Sequence, residues 1–168
     1  MQIRIAGTTN DSIVDGPGLR FTIFTQGCPH HCPGCHNPKT HDFEGGEMGD
    51  TEEIIGRMLK NPLLSGITLS GGEPLMQSEA CLALARAAHQ HGLNVWMYTG
   101  FVWENLLKEN DPDRMALLNE TDVLVDGPFI LDKRSLELDF CGSSNQRLID
   151  VKASLKAGNV ILWQPPKW

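Results

Sequence analysis

Short apolar, β-branched runs alternate with helix-like stretches along this chain, and most of the runs end in a loop that bears glycine. Arg20-Phe21-Thr22-Ile23-Phe24-Thr25 leads into a cysteine-rich loop. Asp50-Thr51-Glu52-Glu53 reads as a helix start with acids in its first turn, and that helix is expected to stop near Asn61-Pro62. Residues 66–70 read as a buried strand ending in Gly71-Gly72-Glu73-Pro74, and residues 79–91 as an Ala/Leu-rich helix closed by Gly92. Residues 93–98 form a third expected strand, and residues 103–118 a helix broken at Asp111-Pro112. Residues 122–126 form a fourth strand ending at Gly127-Pro128, with residues 148–155 and 160–163 as further strands. Strand then helix, repeated, means parallel strands joined by crossover helices. The chemistry of such folds sits at the C-terminal strand ends. Here those ends bring the cysteine loop, the Gly-Gly-Glu-Pro turn, Thr99-Gly100 and Asp126-Gly127-Pro128 to one rim. At 168 residues a full eight-unit barrel does not fit. The expectation is an α/β fold with a mostly parallel sheet, an open partial βα barrel, as a single domain over residues 1–168.

Composition narrows the function classes. No apolar run approaches the roughly 20 residues of a membrane span, and the N-terminus lacks the apolar core of a signal peptide. A net charge of −7 argues against a nucleic-acid surface, which needs clustered Lys and Arg. There is no basic amphipathic helix to lie on a membrane. A soluble cytoplasmic protein is expected. Of five cysteines, three crowd into eight positions, an odd and clustered set unlike a disulfide framework. In a reducing compartment such a cluster points to metal or redox chemistry.

The loop reads Cys28-Pro29-His30-His31-Cys32-Pro33-Gly34-Cys35-His36-Asn37-Pro38. Three thiolates this close can serve one metal centre without help from distant chain. Three readings stand. A structural zinc site wants four ligands, and His30, His31 or His36 could supply the fourth. A ferredoxin-type cluster wants four cysteines, but Cys81 and Cys141 lie far along the chain. A [4Fe-4S] cluster on three cysteines leaves one iron open, as a catalytic site does.

The C-x3-C-x2-C loop after a strand, followed by Gly71-Gly72-Glu73-Pro74, resembles the radical S-adenosylmethionine (radical SAM) superfamily. Asp15-Gly16-Pro17-Gly18-Leu19-Arg20 ahead of the loop, and Cys35-His36-Asn37-Pro38 at its end, look like the glycyl-radical-enzyme activases. Leu124-Val125-Asp126-Gly127-Pro128-Phe129 and Gly142-Ser143-Ser144-Asn145-Gln146-Arg147 look like the activases of anaerobic (class III) ribonucleotide reductase. The resemblance runs from about residue 15 to residue 151.

It implies a [4Fe-4S] cluster on Cys28, Cys32 and Cys35, with its open iron binding the amino and carboxylate groups of S-adenosylmethionine. One electron splits the sulfonium bond, giving methionine and a 5′-deoxyadenosyl radical. That radical takes a hydrogen from a glycine Cα of the catalytic subunit of anaerobic ribonucleotide reductase. The electron comes from a low-potential donor such as a flavodoxin. Gly71 and Gly72 would let backbone approach the cofactor, and the Glu73 carboxylate would meet its ammonium. Gly34 and His36, flanking Cys35, would line the same pocket, and Thr99 and Asp126 would touch its ribose or methionine part. The residue before the third cysteine is often aromatic in that superfamily. Here it is Gly34, so backbone contacts would have to serve the adenine.

The plainer readings are also expectations. His30 and His31 read as solvated loop residues, Asp126 as a turn residue, and Asn145, Gln146 and Arg147 as a surface hydrogen-bonding segment or a face toward the partner. Cys81 at helical spacing with Leu84 and Ala85 reads as a small core hydrophobe, and Cys141 has no assigned role. Trp163 and Trp168 fit either core or interface. Other functions to weigh are an activase of the pyruvate formate-lyase type, a small-molecule radical SAM synthase, and a non-catalytic zinc or iron–sulfur binding module.

Overall fold

Period-two alternation in the strands sorts side chains onto two unlike faces of one sheet. In the computed structural model, which describes residues 1–35, 38–135 and 137–165, the strands are β1 (Gln2–Ser12), β2 (Arg20–Thr25), β3 (Glu47–Asp50), β4 (Gly66–Gly71), β5 (Asn94–Tyr98), β6 (Val123–Asp126) and β7 (Arg147–Asp150). The helices are α1 (Thr51–Met58), α2 (Ser78–Gln90), α3 (Trp103–Glu109), α4 (Pro112–Asn119) and α5 (Val151–Ala157). One sheet face carries Phe21, Ile23, Ile67, Leu69, Val95, Met97, Leu124 and Ile149. These pack against Ile54 and Met58 of α1, Cys81, Leu84 and Ala88 of α2, Trp103 and Leu106 of α3, and Leu117 and Leu118 of α4. The other face is split. Its β5–β6 side holds a second apolar cluster of Trp96, Val123 and Val125, joined by Tyr98, Phe140, Cys141, Leu148 and Trp163. By the same alternation, β2 and β4 present Arg20, Thr22, Thr68 and Ser70 to this face.

The sheet has seven strands in the order β3-β1-β2-β4-β5-β6-β7. The pairs β2/β4, β4/β5 and β5/β6 are parallel, whereas β1, β3 and β7 join antiparallel at the flanks. The fold is therefore α/β with a mixed sheet built on four parallel strands, and those four carry their C-terminal ends to one side. Among the described residues no helix is long and apolar enough to cross a membrane.

Several expectations needed correction. Residues 148–155 are not one strand, because β7 ends at Asp150 and α5 begins at Val151. The reason is local. The Asp150 side chain accepts from Ala153 N at 3.1 Å, an N-cap, and Gly158 closes the helix in the left-handed conformation at φ 80°. Residues 160–163 supply an isolated bridge between Leu162 and Ile149 rather than a strand. The polar strands β1 and β3 went unread because their buried alternation is confined to Ile3 and Ile5. The break at Asp111-Pro112 separates α3 from α4. Asn110 sits at φ 51°, and Asp111 accepts from Asp113 N and Arg114 N.

The base of the fold holds a pH-sensitive clamp. His89, at the end of α2, bonds Glu120 Oε2 at 2.9 Å and Asp122 Oδ2 at 2.8 Å through its two ring nitrogens. Lys152 Nζ lies 3.0 Å from Asp122 Oδ1. Burial lowers the His89 pKa, but the hydrogen bonds it makes to the Asp122 and Glu120 carboxylates outweigh it and hold the group above its ordinary value. Burial raises that of Asp122, but hydrogen bonds from His89, Val95 N and Lys152 outweigh it and hold the group low. The His89 contribution is therefore complete below its unfolded value of about 6.5 and fades as pH rises through the folded value. The Asp122 contribution is lost as pH falls below about 3.9. His89→Ala is expected to cost about 1–2 kcal/mol near pH 6, and thermal melts should show the difference from the parent shrinking as pH rises through the raised folded value.

Candidate functional site

All four parallel strand ends reach one cleft of about 590 Å³, within the usual range for a cofactor site. From the cysteine loop it is lined by Cys28, Cys32 and Cys35, and from the β4 end by Ser70, Gly71 and Gly72. Tyr98, Thr99 and Gly100 line it from β5, and Gly127 and Phe129 from β6. Phe140, Cys141 and Gln146 close one wall, and Val14 and Asp15 another.

Why the chain folds this way is visible bond by bond. The Gly-Gly turn lies directly on the start of the cysteine loop, where Gly72 N donates to Thr25 O at 2.8 Å and Glu73 N donates to Gly27 O at 2.9 Å. Gly71 adopts φ 95°, and a Cβ there would run into the β2 backbone at Phe24 and Thr25. A Cβ on Gly72 would run into the carbonyls of Gly27 and Thr40. No side chain at either place can be absorbed by a neighbour swinging aside. Cys35 N donates to Cys32 O at 3.1 Å, closing a turn in which Gly34 takes φ 73°. Gly34 lies against Leu131 and Phe129, the second of which lines the cleft. His36, expected beside Cys35, lies outside the described residues, as does Trp168. Trp163 is partly buried and packs on the second apolar cluster, ring to ring with Trp96 at 5.0 Å.

Two acids expected at the cofactor already have partners within the protein. The Glu73 side chain is fully buried. Its Oε1 accepts from Thr99 Oγ1 at 2.8 Å, Gly100 N at 2.8 Å and His30 Nε2 at 2.7 Å, and its Oε2 from Leu75 N at 3.2 Å. Asp126 is 1% exposed. It accepts from Trp103 N at 2.9 Å, at the start of α3, and from Arg147 Nε and Nη2 at 3.0 and 2.6 Å. Each acid takes up one free N–H at a helix start: Glu73 that of Leu75, in the short turn it caps itself, and Asp126 that of Trp103, where α3 begins after the neighbouring strand β5. Thr99 remains at the cleft, its hydroxyl donating to Glu73.

Sequence reasoning missed His30 and His41. His30 is not solvated. It pairs with Glu73 and meets Phe101 edge-on at 4.6 Å. His41 carries its carbonyl to Cys28 N at 3.2 Å and lines the cleft, but its Nε2 is buried without a hydrogen-bond partner among the described residues. The Gly142-Ser143-Ser144-Asn145-Gln146-Arg147 segment pins the β6 end. Gln146 Oε1 accepts from Gly142 N and Ser143 N, while Gln146 Nε2 donates to Gly127 O and Asn145 Nδ2 to Pro128 O. The Asp15–Arg20 motif builds the floor. Buried Arg20 donates to Thr68 Oγ1, Ile67 O, Asn94 Oδ1 and Pro17 O, and burial brings its pKa down to about 10, so it stays charged at neutral pH. Asp15 Oδ2 accepts from Ser12 Oγ at 2.6 Å and Thr22 Oγ1 at 3.1 Å.

The donor set fits an iron–sulfur cluster. Burial holds the Cys28 thiol above its ordinary pKa, a cost that a bound cation offsets at the thiolate. The orphaned His41 Nε2 faces the same need for a partner that a cluster or cofactor would meet. Among the described residues no three His, Cys, Asp or Glu side chains converge as ligands of a single ion. Each cysteine of a cubane binds a different iron, so a cluster does not ask for that convergence. Cys81 packs in the core with its thiol pushed up to about 12 by burial. Cys141, its thiol pushed up to about 11 by burial, lines the cleft wall.

Comparison with known proteins agrees with this geometry. The 4Fe-4S single cluster domain family matches residues 14–149. The anaerobic ribonucleoside-triphosphate reductase-activating protein of Salmonella typhi is 38% identical over 142 residues, covering 80% of this chain and 90% of the relative. That of Escherichia coli K12 is 36% identical over the same length and coverage. The pyruvate formate-lyase 1-activating enzyme of Escherichia coli K12 is 34% identical over 167 residues, 95% of this chain but 65% of that longer enzyme. With its three cysteines gathered on one cleft and its match running through nearly the whole sheet, the chain belongs to the family of anaerobic ribonucleoside-triphosphate reductase-activating proteins, within the 4Fe-4S single cluster domain family.

Proposed function

We propose that this chain is a radical SAM activase that installs a glycyl radical on the catalytic subunit of anaerobic ribonucleotide reductase. The observation that supports it most is the cleft in which the three cysteines and the Gly71-Gly72 turn face one another at the parallel strand ends. Cys28, Cys32 and Cys35 would hold a [4Fe-4S] cluster as thiolates. When bound, the cluster and S-adenosylmethionine supply the hard chemistry: one electron in, and methionine plus a 5′-deoxyadenosyl radical out. The chain's own residues bind, orient and exclude water. Gly71 and Gly72 offer backbone at close range where any Cβ is barred. Thr99 and Gln146 provide polar groups in the wall, and Tyr98, Phe129 and Phe140 provide its apolar part. A radical intermediate needs such a wall, because oxygen or a stray hydrogen donor would intercept it.

On this reading the sheet is the open partial βα barrel of the radical SAM type, residues 1–168 form one domain, and the enzyme works in the cytoplasm with a low-potential donor such as a flavodoxin. The match to a pyruvate formate-lyase activating enzyme over 95% of the chain favours a second reading, an activase for that class of partner. Anaerobic reconstitution, reduction and addition of S-adenosylmethionine test the chemistry. Methionine and 5′-deoxyadenosine in equal amounts are expected. A fully loaded, reduced cluster that leaves S-adenosylmethionine intact would sink the proposal.

A further inference from the structure

We propose that His30 is a positioning residue that locks the cysteine loop to the Gly-Gly-Glu-Pro turn through the buried Glu73 carboxylate. The observation is the convergence of four groups from three chain segments on one fully buried side chain. Leu75 N belongs to the turn itself, and Thr99 Oγ1 and Gly100 N to the end of β5. The fourth, His30 Nε2, lies between the first two cysteines of the metal loop.

A buried carboxylate is tolerated only when its lone pairs are filled, and bonds to charged groups are stronger than neutral ones. Thr99 Oγ1 accepts from Phe101 N at 3.1 Å, so its own proton goes to Glu73. Three donors already sit on the carboxylate, and His30 Nε2 reaches the same Oε1 at 2.7 Å as its fourth contact. The ring cannot drift from this place. It meets Phe101 edge-on at 4.6 Å, and Gly100 lies so close that any Cβ there would overlap the imidazole. The backbone bond from Glu73 N to Gly27 O ties the same two segments one residue before Cys28. The link therefore brackets Cys28 on both sides. It sets the path of the chain from Cys28 to Cys32 and fixes that path against Gly71 and Gly72.

The consequence is that the loop for the cluster and the turn for the cofactor move as one piece. This rests on the proposed function, and the test separates the two. His30→Gln places an amide N–H where Nε2 stands. His30→Phe keeps a ring against Phe101 without a donor, and His30→Ala removes both. Each variant is reconstituted and assayed for iron content, for the rate of cluster loss to a chelator, and for the change in the reduced cluster's electron paramagnetic resonance spectrum on adding S-adenosylmethionine. Loss of a group that orients a metal ligand typically costs 10–100-fold in metal affinity. His30→Ala and His30→Phe are expected to lose the cluster at least about tenfold faster and to blunt the spectral change. His30→Gln is expected to stay within about twofold of the parent in both. Parent-like behaviour of His30→Ala, or a His30→Gln as defective as His30→Phe, overturns the inference. A parent chain that takes up no cluster would instead count against the proposed function.

Discussion

Cys32→Ala is expected to abolish the reconstituted iron–sulfur absorbance and all formation of 5′-deoxyadenosine, while the thermal midpoint of the metal-free chain stays close to the parent's. The two halves follow from different features. Cys32 lines the cleft but is only half-buried, in a loop. Removing its sulfur therefore opens no core cavity, and a surface-type substitution is usually within about 0.5 kcal/mol. With three cysteines for one cluster, however, no fourth is at hand to substitute. Cys81 is sealed on the buried face of α2, and Cys141 lines the cleft wall just ahead of the segment that pins β6. The drop in iron content should exceed the roughly 100-fold upper end for loss of a merely supporting residue. Full iron content in Cys32→Ala, measured chemically beside protein concentration, would show that the ligand set is wrong.

Gly71→Ala should be among the most destabilising small changes in the chain. Two costs combine. At φ 95° a Cβ is strained wherever it points, at about 1–3 kcal/mol. Here it also points into the β2 backbone at Phe24 and Thr25, which cannot rotate away, and overpacking adds about 1–3 kcal/mol. A total near 3 kcal/mol or more lowers the midpoint of a chain this size by about 6–12 °C. Gly92 gives the control. It too has a positive φ, 74°, but nothing lies within 4 Å of a Cβ placed there. Gly92→Ala should cost only the backbone part, about 1 kcal/mol. Equal melting of the two variants would show that the close approach of the turn to β2 is not what glycine serves. Gly71→Ala should also bind the cluster poorly, because the same turn is hydrogen-bonded to Gly27 beside Cys28.

Much of the parallel core was legible because burial on both faces writes itself into sequence. Val95-Trp96-Met97 and Val123-Leu124-Val125 are apolar at every position since each face meets a cluster. The cysteine spacing and the glycines at the strand ends were legible for a similar reason, namely that few residue types can do what those positions require. The flanks of the sheet were not. β3 is Glu-Met-Gly-Asp, and only pairing with β1 makes it a strand. The fates of Glu73 and Asp126 were hidden too, since a one-dimensional pattern shows an acid at a strand end but not which N–H groups will reach it. Glu73 is claimed by residues 26 to 27 positions later and by His30, 43 positions earlier. One signal was available and unread for α5, an aspartate followed by Val-Lys-Ala-Ser-Leu-Lys-Ala and then glycine, which is a capped helix.

On the proposed function, the chain makes a radical in order to hand it to a partner enzyme. The direct measurement is electron paramagnetic resonance of the reconstituted, reduced chain mixed anaerobically with S-adenosylmethionine and the catalytic subunit of an anaerobic ribonucleotide reductase. A glycyl radical doublet on the reductase is predicted, absent when S-adenosylmethionine is withheld or when Cys32→Ala replaces the parent. A fully loaded chain that yields no glycyl signal on the reductase, or yields one on pyruvate formate-lyase alone, would contradict it.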